Sequence, residues 1–200
     1  MDFKKQVLKR IYLCRHGETV AKGTYTGTRD VSLSDEGKKQ VCKLSELLSH
    51  YQIDICYSSP LKRCIQTHVV LGGDYQMIIN EQLREVDFGR WEGKTFQQIY
   101  VEDRELVDDW IANDLEFTFP DGESIEHFIS RLRLFHKKLI SDPHQNILII
   151  SHGGVIRFLI CLLLDIPLKF YHKLDIKESG LAVIHGLSDD YWLCSLNNAF

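Results

Sequence analysis

Two of the nine histidines in this 200-residue chain stand where a sheet could put them to work. His16 follows the apolar run Arg10 to Cys14 as Arg15-His16-Gly17, and His152 follows Asn146 to Ile150 as Ser151-His152-Gly153-Gly154. Both runs read as buried strands of a parallel sheet. Open parallel sheets bind ligands beyond the carboxyl ends of their strands, so two neighbouring strands would bring both imidazoles into one crevice. Glycine after each histidine would let the backbone approach a ligand closely. The amides of Gly153 and Gly154, at the mouth of the next helix, offer an anion-favouring pole. Arg15 stands beside His16, and Arg63 falls in the first turns of a helix that leaves the same edge of the sheet. Two histidines, two arginines and a helix N-terminus make a pocket suited to a phosphate.

A histidine at a strand end is more often a satisfied structural residue, but two of them, each beside glycine, favour chemistry. The competing use of paired histidines is a metal. No H-E-x-x-H spacing occurs, and an adjacent arginine is a poor neighbour for a cation, so neither a metal nor another cofactor is expected. The other seven, His50, His68, His127, His136, His144, His172 and His185, show no convergent partner and read as structural or solvated.

The elements that would hold these residues alternate strand and helix. After Arg10–Cys14 comes a Gly- and Thr-rich loop, then a helix N-capped by Ser34 with Asp35 and Glu36 in its first turn. Val41, Leu44, Leu47 and Leu48 give it an apolar face. Ile53, Ile55 and Tyr57 alternate as a second strand. Ser59-Pro60 supplies an N-cap and a first-turn proline for a helix to Leu71. Tyr75 to Ile79 reads as a third strand. The stretch from Leu83 to Glu123 is aromatic and irregular, with one helix over Asp103–Ile111. A long helix from Glu123 carries Ile125, Phe128, Ile129, Leu132 and Leu139 on one face. Val155 to Leu164 is an apolar helix. Ala182–His185 and Tyr191–Leu196 flank the turn Gly186 to Asp190 as a hairpin. The expected fold is α/β: a three-layer α/β/α sandwich with a mainly parallel sheet, an antiparallel edge near the C-terminus, and a helical insertion over the active-site end. One domain spanning 1–200, with the insertion at about 93–123, accounts for the whole chain.

Composition narrows the function classes. The 24 basic and 28 acidic residues leave a net charge of −4, the wrong sign for a protein whose main task is neutralising a nucleic-acid backbone. Met1 to Gln6 has no apolar core of a signal peptide, and the longest apolar run, Phe158 to Leu164, is far short of the ~20 residues a bilayer needs. Cys14, Cys42, Cys56, Cys64, Cys161 and Cys194 are scattered, with no C-x-x-C pair, as free thiols in a reducing compartment. The expectation is a cytoplasmic protein whose partner is a small-molecule phosphate ester, with no nucleic acid and no membrane; oligomeric state is not legible.

Six motifs in order extend the argument. They are Leu13-Cys14-Arg15-His16-Gly17-Glu18-Thr19; Tyr25-Thr26-Gly27 with Leu33-Ser34 and Gly37; Tyr57-Ser58-Ser59-Pro60-Leu61-Lys62-Arg63-Cys64 with Gln66-Thr67; Leu83 to Gly93; Pro120-Asp121-Gly122-Glu123-Ser124; and Ser151 to Gly154. The set resembles the histidine phosphatase superfamily, branch 1, also called phosphoglycerate mutase-like. The resemblance implies His16 as a nucleophile forming a phosphohistidine, with Arg15, Arg63 and His152 on the equatorial oxygens and Gly153 close by. It implies Glu85 as the acid that protonates the leaving oxygen and then activates water. The first role needs a carboxyl partly neutral near pH 7, which burial would favour. Read without the resemblance, Glu85 is one member of the charge run Arg84 to Asp87.

One position departs from the pattern. The family asparagine seven residues after the motif arginine is Lys22 here. Lys22 supplies a compensating charge, or Thr26 makes the contact, or Lys22 is merely solvated. Within the family, cofactor-dependent mutases are longer and carry an extra segment and tail, which favours a phosphatase. Leu83 to Gly93 and the length look most like the α-ribazole phosphatases of cobalamin biosynthesis. The alternatives are mutase-type phosphoryl transfer and a non-catalytic phosphate-ester-binding module.

Overall fold

The protein is described here by a computed structural model covering residues 8–188 and 190–198. A six-stranded sheet runs in the order β3-β2-β4-β1-β5-β6. Its strands are β1 (Leu8–Arg15), β2 (Ile55–Ser58), β3 (Gln76–Ile79), β4 (Asn146–Ser151), β5 (Leu181–Leu187) and β6 (Asp190–Ser195). β1, β4, β2 and β3 pair in parallel, whereas β5 and β6 add an antiparallel edge. The expected α/β/α architecture with its antiparallel C-terminal edge is the one observed. In the hairpin, Asp189 lies outside the described residues, as does the Met1–Gln6 stretch read for a signal peptide.

Alternation along β1 explains the layers. Ile11 and Leu13 point into one core, with Phe128, Leu132, Phe135 and Leu139 of α5 (Ile125–Ser141) and the apolar side of α6 (Gly153–Leu163). Tyr12 and Cys14 point into the other, with Val41, Leu44 and Leu48 of α1 (Asp35–Leu48) and Cys64 and Leu71 of α2 (Lys62–Leu71). Leu44 is fully buried there; truncating such a side chain to alanine costs about 2–5 kcal/mol. With helices on both faces, all four residues of β2 are buried, and the expected alternation appears as Ile55 and Tyr57 facing one core and Cys56 the other; Ile53 lies just ahead of the strand.

Local signals set most helix ends. Ser34 caps α1 by accepting from the Gly37 amide at 2.9 Å, and Ser124 caps α5 by accepting from His127 at 3.1 Å. The start of α2 differs from expectation. Leu61, not Ser59, occupies the cap position; the Ser59 hydroxyl accepts the Leu61 amide at 3.3 Å just ahead of the helix and also engages His152. The insertion holds two helices rather than one, α3 (Phe96–Glu102) and α4 (Arg104–Ala112). α3 starts at a Thr95–Gln98 capping box that its weak apolar pattern concealed. The insertion closes over the α5–α6 side of the sheet through Phe117 and Phe119, buried in one aromatic cluster with Trp91 just ahead of it. All six cysteines are free, and no helix among the described residues is long and apolar enough to cross a membrane.

Candidate active site

Strand register brings the two histidines together. β1 and β4 pair in parallel with Arg15 opposite Ser151, so His16 and His152 leave the sheet side by side. Their rings are 5.2 Å apart, edge to face. β2 sits on the far side of β4 with Ser58 opposite Ile150, which delivers Ser59 to the same end. The His16 amide donates to Ser151 O at 3.0 Å, and its carbonyl accepts from Ser179 at 3.1 Å, fixing the backbone between two elements. His16 is 7% exposed and His152 fully buried.

Hydrogen bonds assign the tautomers. His16 Nδ1 lies 2.8 Å from Gly17 O; a carbonyl only accepts, so Nδ1 carries the proton and Nε2 the lone pair. Arg63 Nε stands 3.2 Å from that Nε2 and 3.1 Å from His152 Nδ1. A guanidinium only donates, so His152 Nδ1 also accepts, and its Nε2–H donates to Ser59 Oγ at 2.8 Å. Burial, reinforced by the charges of Arg63 and Arg15, pushes His16 well below its ordinary pKa. Burial followed by Arg63 does the same for His152. Both rings are therefore neutral at pH 7, and His16 presents an available nitrogen lone pair.

Arg63 is held from behind. Its Nη1 donates to Arg29 O at 2.9 Å and its Nη2 to Gly27 O at 2.7 Å. That loop is tied in turn by Glu92, which accepts from the Thr28 and Arg29 amides. Gly27 has φ +39°, and a Cβ there would stand 2.7 Å from Val86 O, so the loop that braces Arg63 requires glycine. Only the Nε edge of Arg63 faces the imidazoles. Arg15 is anchored by Nη1 to Ile176 O at 2.7 Å and lies near Glu178. Its Nε is buried without a partner among the described residues, a donor in want of an anion.

The glycines act differently from expectation. A Cβ on Gly17 would meet Gly37 O of α1 at 2.6 Å, so Gly17 serves close helix packing rather than ligand approach. At the start of α6, the Gly154 amide is spent on Glu85 Oε2 at 3.0 Å. Gly153 borders the cleft beside Arg15, and its amide, in the first turn, has no acceptor within the helix. Glu85 also borders the cleft. It is half-buried rather than buried, and its Oε1 accepts its neighbour's amide, that of Val86, at 3.1 Å.

The remaining candidates separate clearly. Lys22 pairs with Glu18 while its side chain stays 71% exposed, and the Thr26 hydroxyl donates to Thr24 O at 3.1 Å. Both border the cleft without reaching either histidine through a hydrogen bond. Of the seven histidines read as structural or solvated, His127 pairs with Glu123 and His144 with Asp142 on the surface. His172 departs from that reading, because it borders the cleft itself. Sequence reasoning missed Ser59, whose role depends on strand order, and the outer cleft. That cleft, of about 620 Å³, continues past the histidines between Tyr25, Phe88, Trp110, Phe158 and Tyr171, with Arg157 beside them.

The chain is similar to known proteins along nearly its whole length. Residues 11–199 match the family described as the histidine phosphatase superfamily (branch 1). The adenosylcobalamin/α-ribazole phosphatase of Escherichia coli is 34% identical over 164 residues, 79% of this chain and 80% of that one. Phosphoserine phosphatase 1 of Hydrogenobacter thermophilus is 28% identical over 181 residues, covering 88% and 86% of the two chains. The crystal structure of the α-ribazole phosphatase from Shigella flexneri superposes with a TM-score of 0.87 at 31% identity, covering 95% of this chain and 96% of that one. The chain belongs to branch 1 of the histidine phosphatase superfamily and is a phosphatase.

Proposed function

We propose that this phosphatase is a phosphomonoesterase that passes the phosphoryl group of a small ester to His16 and then to water. The observation that carries this reading is the neutral His16 Nε2 beside the Arg63 Nε–H, with Arg15 Nε, unpartnered among the described residues, in the same cleft. In the first step the Nε2 lone pair bonds to phosphorus as the ester P–O bond breaks, and Glu85 gives its proton to the leaving oxygen. Arg15, Arg63 and the Gly153 amide hold the equatorial oxygens, where charge accumulates, and His152 keeps the Arg63 Nε–H aimed at them. In the second step Glu85 takes a proton from water, whose oxygen bonds to phosphorus as the P–N bond breaks. Phosphate leaves and the neutral imidazole returns. Hydrolysis of p-nitrophenyl phosphate tests the reading. Replacing His16 by alanine is expected to lower kcat by at least about a thousandfold, and near-normal turnover in that variant removes the nucleophile.

For the ester itself, α-ribazole phosphate is supported by the relatives that carry that name and by the aromatic walls of the cleft, where a flat ring can stack. One observation favours a second class. Arg157, one turn beyond Gly153 on α6, gives Nε to Leu174 O at 2.8 Å and leaves its terminal nitrogens unclaimed among the described residues. A guanidinium lining the same cleft as Arg15 and Gly153 suits an ester bearing a carboxylate. Phosphoserine, named for one relative, is such an ester. Ranking α-ribazole phosphate, phosphoserine, nucleotides, and 3-phosphoglycerate with its bisphosphate by kcat/KM decides among them, and mutase turnover of the last would replace hydrolysis as the reaction.

A further inference from the structure

Glu85 sits on a segment with no sheet or helix to hold it. The segment from Gln82 to Asp87 begins within a short 3-10 turn at Glu81–Leu83 and then runs irregularly beneath α5 and α6. Irregular backbone does not hold a side chain to within a fraction of an ångström unless its polar groups are fixed from outside. Here they are. Arg131, in the second turn of α5, donates Nη1 to Gln82 O and to Arg84 O, both at 2.7 Å, and Nη2 to Glu85 O at 3.0 Å. Ser151 Oγ at the end of β4 takes the carbonyl between them, that of Leu83, at 2.8 Å. Four successive carbonyls thus end on side-chain donors.

The guanidinium is aimed by a carboxylate of its own. Glu123 accepts Arg131 Nε at 2.8 Å on one oxygen and Nη2 at 3.0 Å on the other. With these two bonds and three to carbonyls, every N–H of the guanidinium is used. Both side chains are largely withdrawn from water, 14% and 10% exposed, and Arg131 also lies over the Phe128 ring. Glu123 grips the far side of the segment as well. Its amide donates to Asp87 O at 2.9 Å, and its carboxylate accepts the Asp87 amide at 3.4 Å. Glu85 is bracketed, with its backbone fixed by Arg131 and Glu123 and its carboxylate by Gly154 and Val86.

We propose that the Arg131–Glu123 pair is the positioning device for Glu85, setting the distance over which that carboxyl gives its proton to the leaving oxygen. The proposal rests on Glu85 being the acid. Neither Arg131 nor Glu123 borders the cleft, so both act through Glu85 and are positioning residues. Lysine cannot replace the arginine, having three donors on one nitrogen against five in a flat fork. Displacing a catalytic group by about 1 Å costs on the order of a hundredfold. The loss falls on substrates whose leaving oxygen needs a proton.

The experiment compares an alkyl phosphate, glycerol phosphate, with p-nitrophenyl phosphate, whose leaving group departs unprotonated. The proteins are wild type, Glu85→Gln, Arg131→Lys and Glu123→Gln, each checked for cooperative melting. The readout is kcat/KM, which reports only the steps through formation of the phosphohistidine and not the later attack of water. Arg131→Lys is expected to lose about ten- to a hundredfold on glycerol phosphate and less than about threefold on p-nitrophenyl phosphate, with Glu85→Gln compared on the same quantity. Adding Arg131→Lys to Glu85→Gln should then cost little more on either substrate. Glu123→Gln, which keeps the arginine and its carbonyl bonds, gives a smaller loss with the same selectivity and serves if the lysine variant does not fold. Equal losses on both esters, alongside a selective Glu85→Gln, overturn the positioning role alone. A Glu85→Gln variant that is itself unselective overturns Glu85 as the acid, and the proposal with it.

Discussion

Arg63 Nε lies 3.2 Å from His16 Nε2 and 3.1 Å from His152 Nδ1, so one N–H is divided between two imidazoles. Because that donor cannot give up its proton, both rings must face it with lone pairs, and both are kept uncharged. The same N–H can swing to a phosphoryl oxygen as His16 begins to attack. Arg63→Lys retains charge but cannot span Gly27 O, Arg29 O and the two rings. Its kcat/KM for p-nitrophenyl phosphate should fall by at least about a hundredfold; retention within about threefold would show that charge alone suffices.

Ser59 fixes the far nitrogen of His152. In Ser59→Ala the buried Nε2–H keeps only Cys64 Sγ, 3.6 Å away, as a poor acceptor. An unsatisfied buried donor costs about 1–3 kcal/mol, so urea unfolding should register a loss of that size, together with reduced kcat. Unchanged stability would mean that the Ser59 bond carries nothing.

Acid should unfold the protein through its site. His16 and His152 have folded pKa values well below their ordinary 6.5. Above 6.5 neither state binds the proton and stability is complete. As pH falls below 6.5, the unfolded chain takes up protons that the folded one refuses, and stability drops until the folded values are reached. Each such histidine contributes a slope of about 1.4 kcal/mol per pH unit. Burial lowers His68, His136 and His185 too, so the diagnostic is the variant. Unfolding free energies measured at pH 7.5 and pH 5.5 should differ less in His16→Asn than in wild type. An equal difference would assign the acid sensitivity elsewhere.

Lys22 stands where the family pattern has asparagine, yet its ammonium is paired with Glu18 and mostly in water. An exposed pair of this kind contributes little. Lys22→Met should leave kcat/KM within about threefold, measured on p-nitrophenyl phosphate; a drop beyond tenfold would make Lys22 a phosphate ligand.

How much of this was legible before the structure depends on how local each signal is. His16 and His152 announced themselves because strand, histidine and glycine are adjacent in the chain, and a parallel sheet converts that pattern into one crevice. Arg63 followed from its place at a helix start. Ser59 reads as a cap, and its hydroxyl does accept the Leu61 amide, but its second partner, His152, lies 93 residues away and only the β2-β4-β1 order brings them together. Gly17 was read as making room for a ligand, when it makes room for Gly37. The insertion hid α3 because its seven residues show one buried side chain, Ile99, and no amphipathic stripe. The grip on Glu85 was equally hidden: Arg131 and Glu123 are eight residues apart and look like ordinary surface charges until α5 lays them against a segment forty residues earlier.

The central claim, a covalent phosphate on His16, is tested most directly by acid-free quenching of enzyme mixed with ³²P-labelled ester, followed by alkaline digestion and peptide mapping. The account expects label on the peptide holding His16, stable to alkali and released by acid, formed within one turnover and missing from His16→Ala. Phosphate release in wild type with no label on that peptide at any time would contradict it.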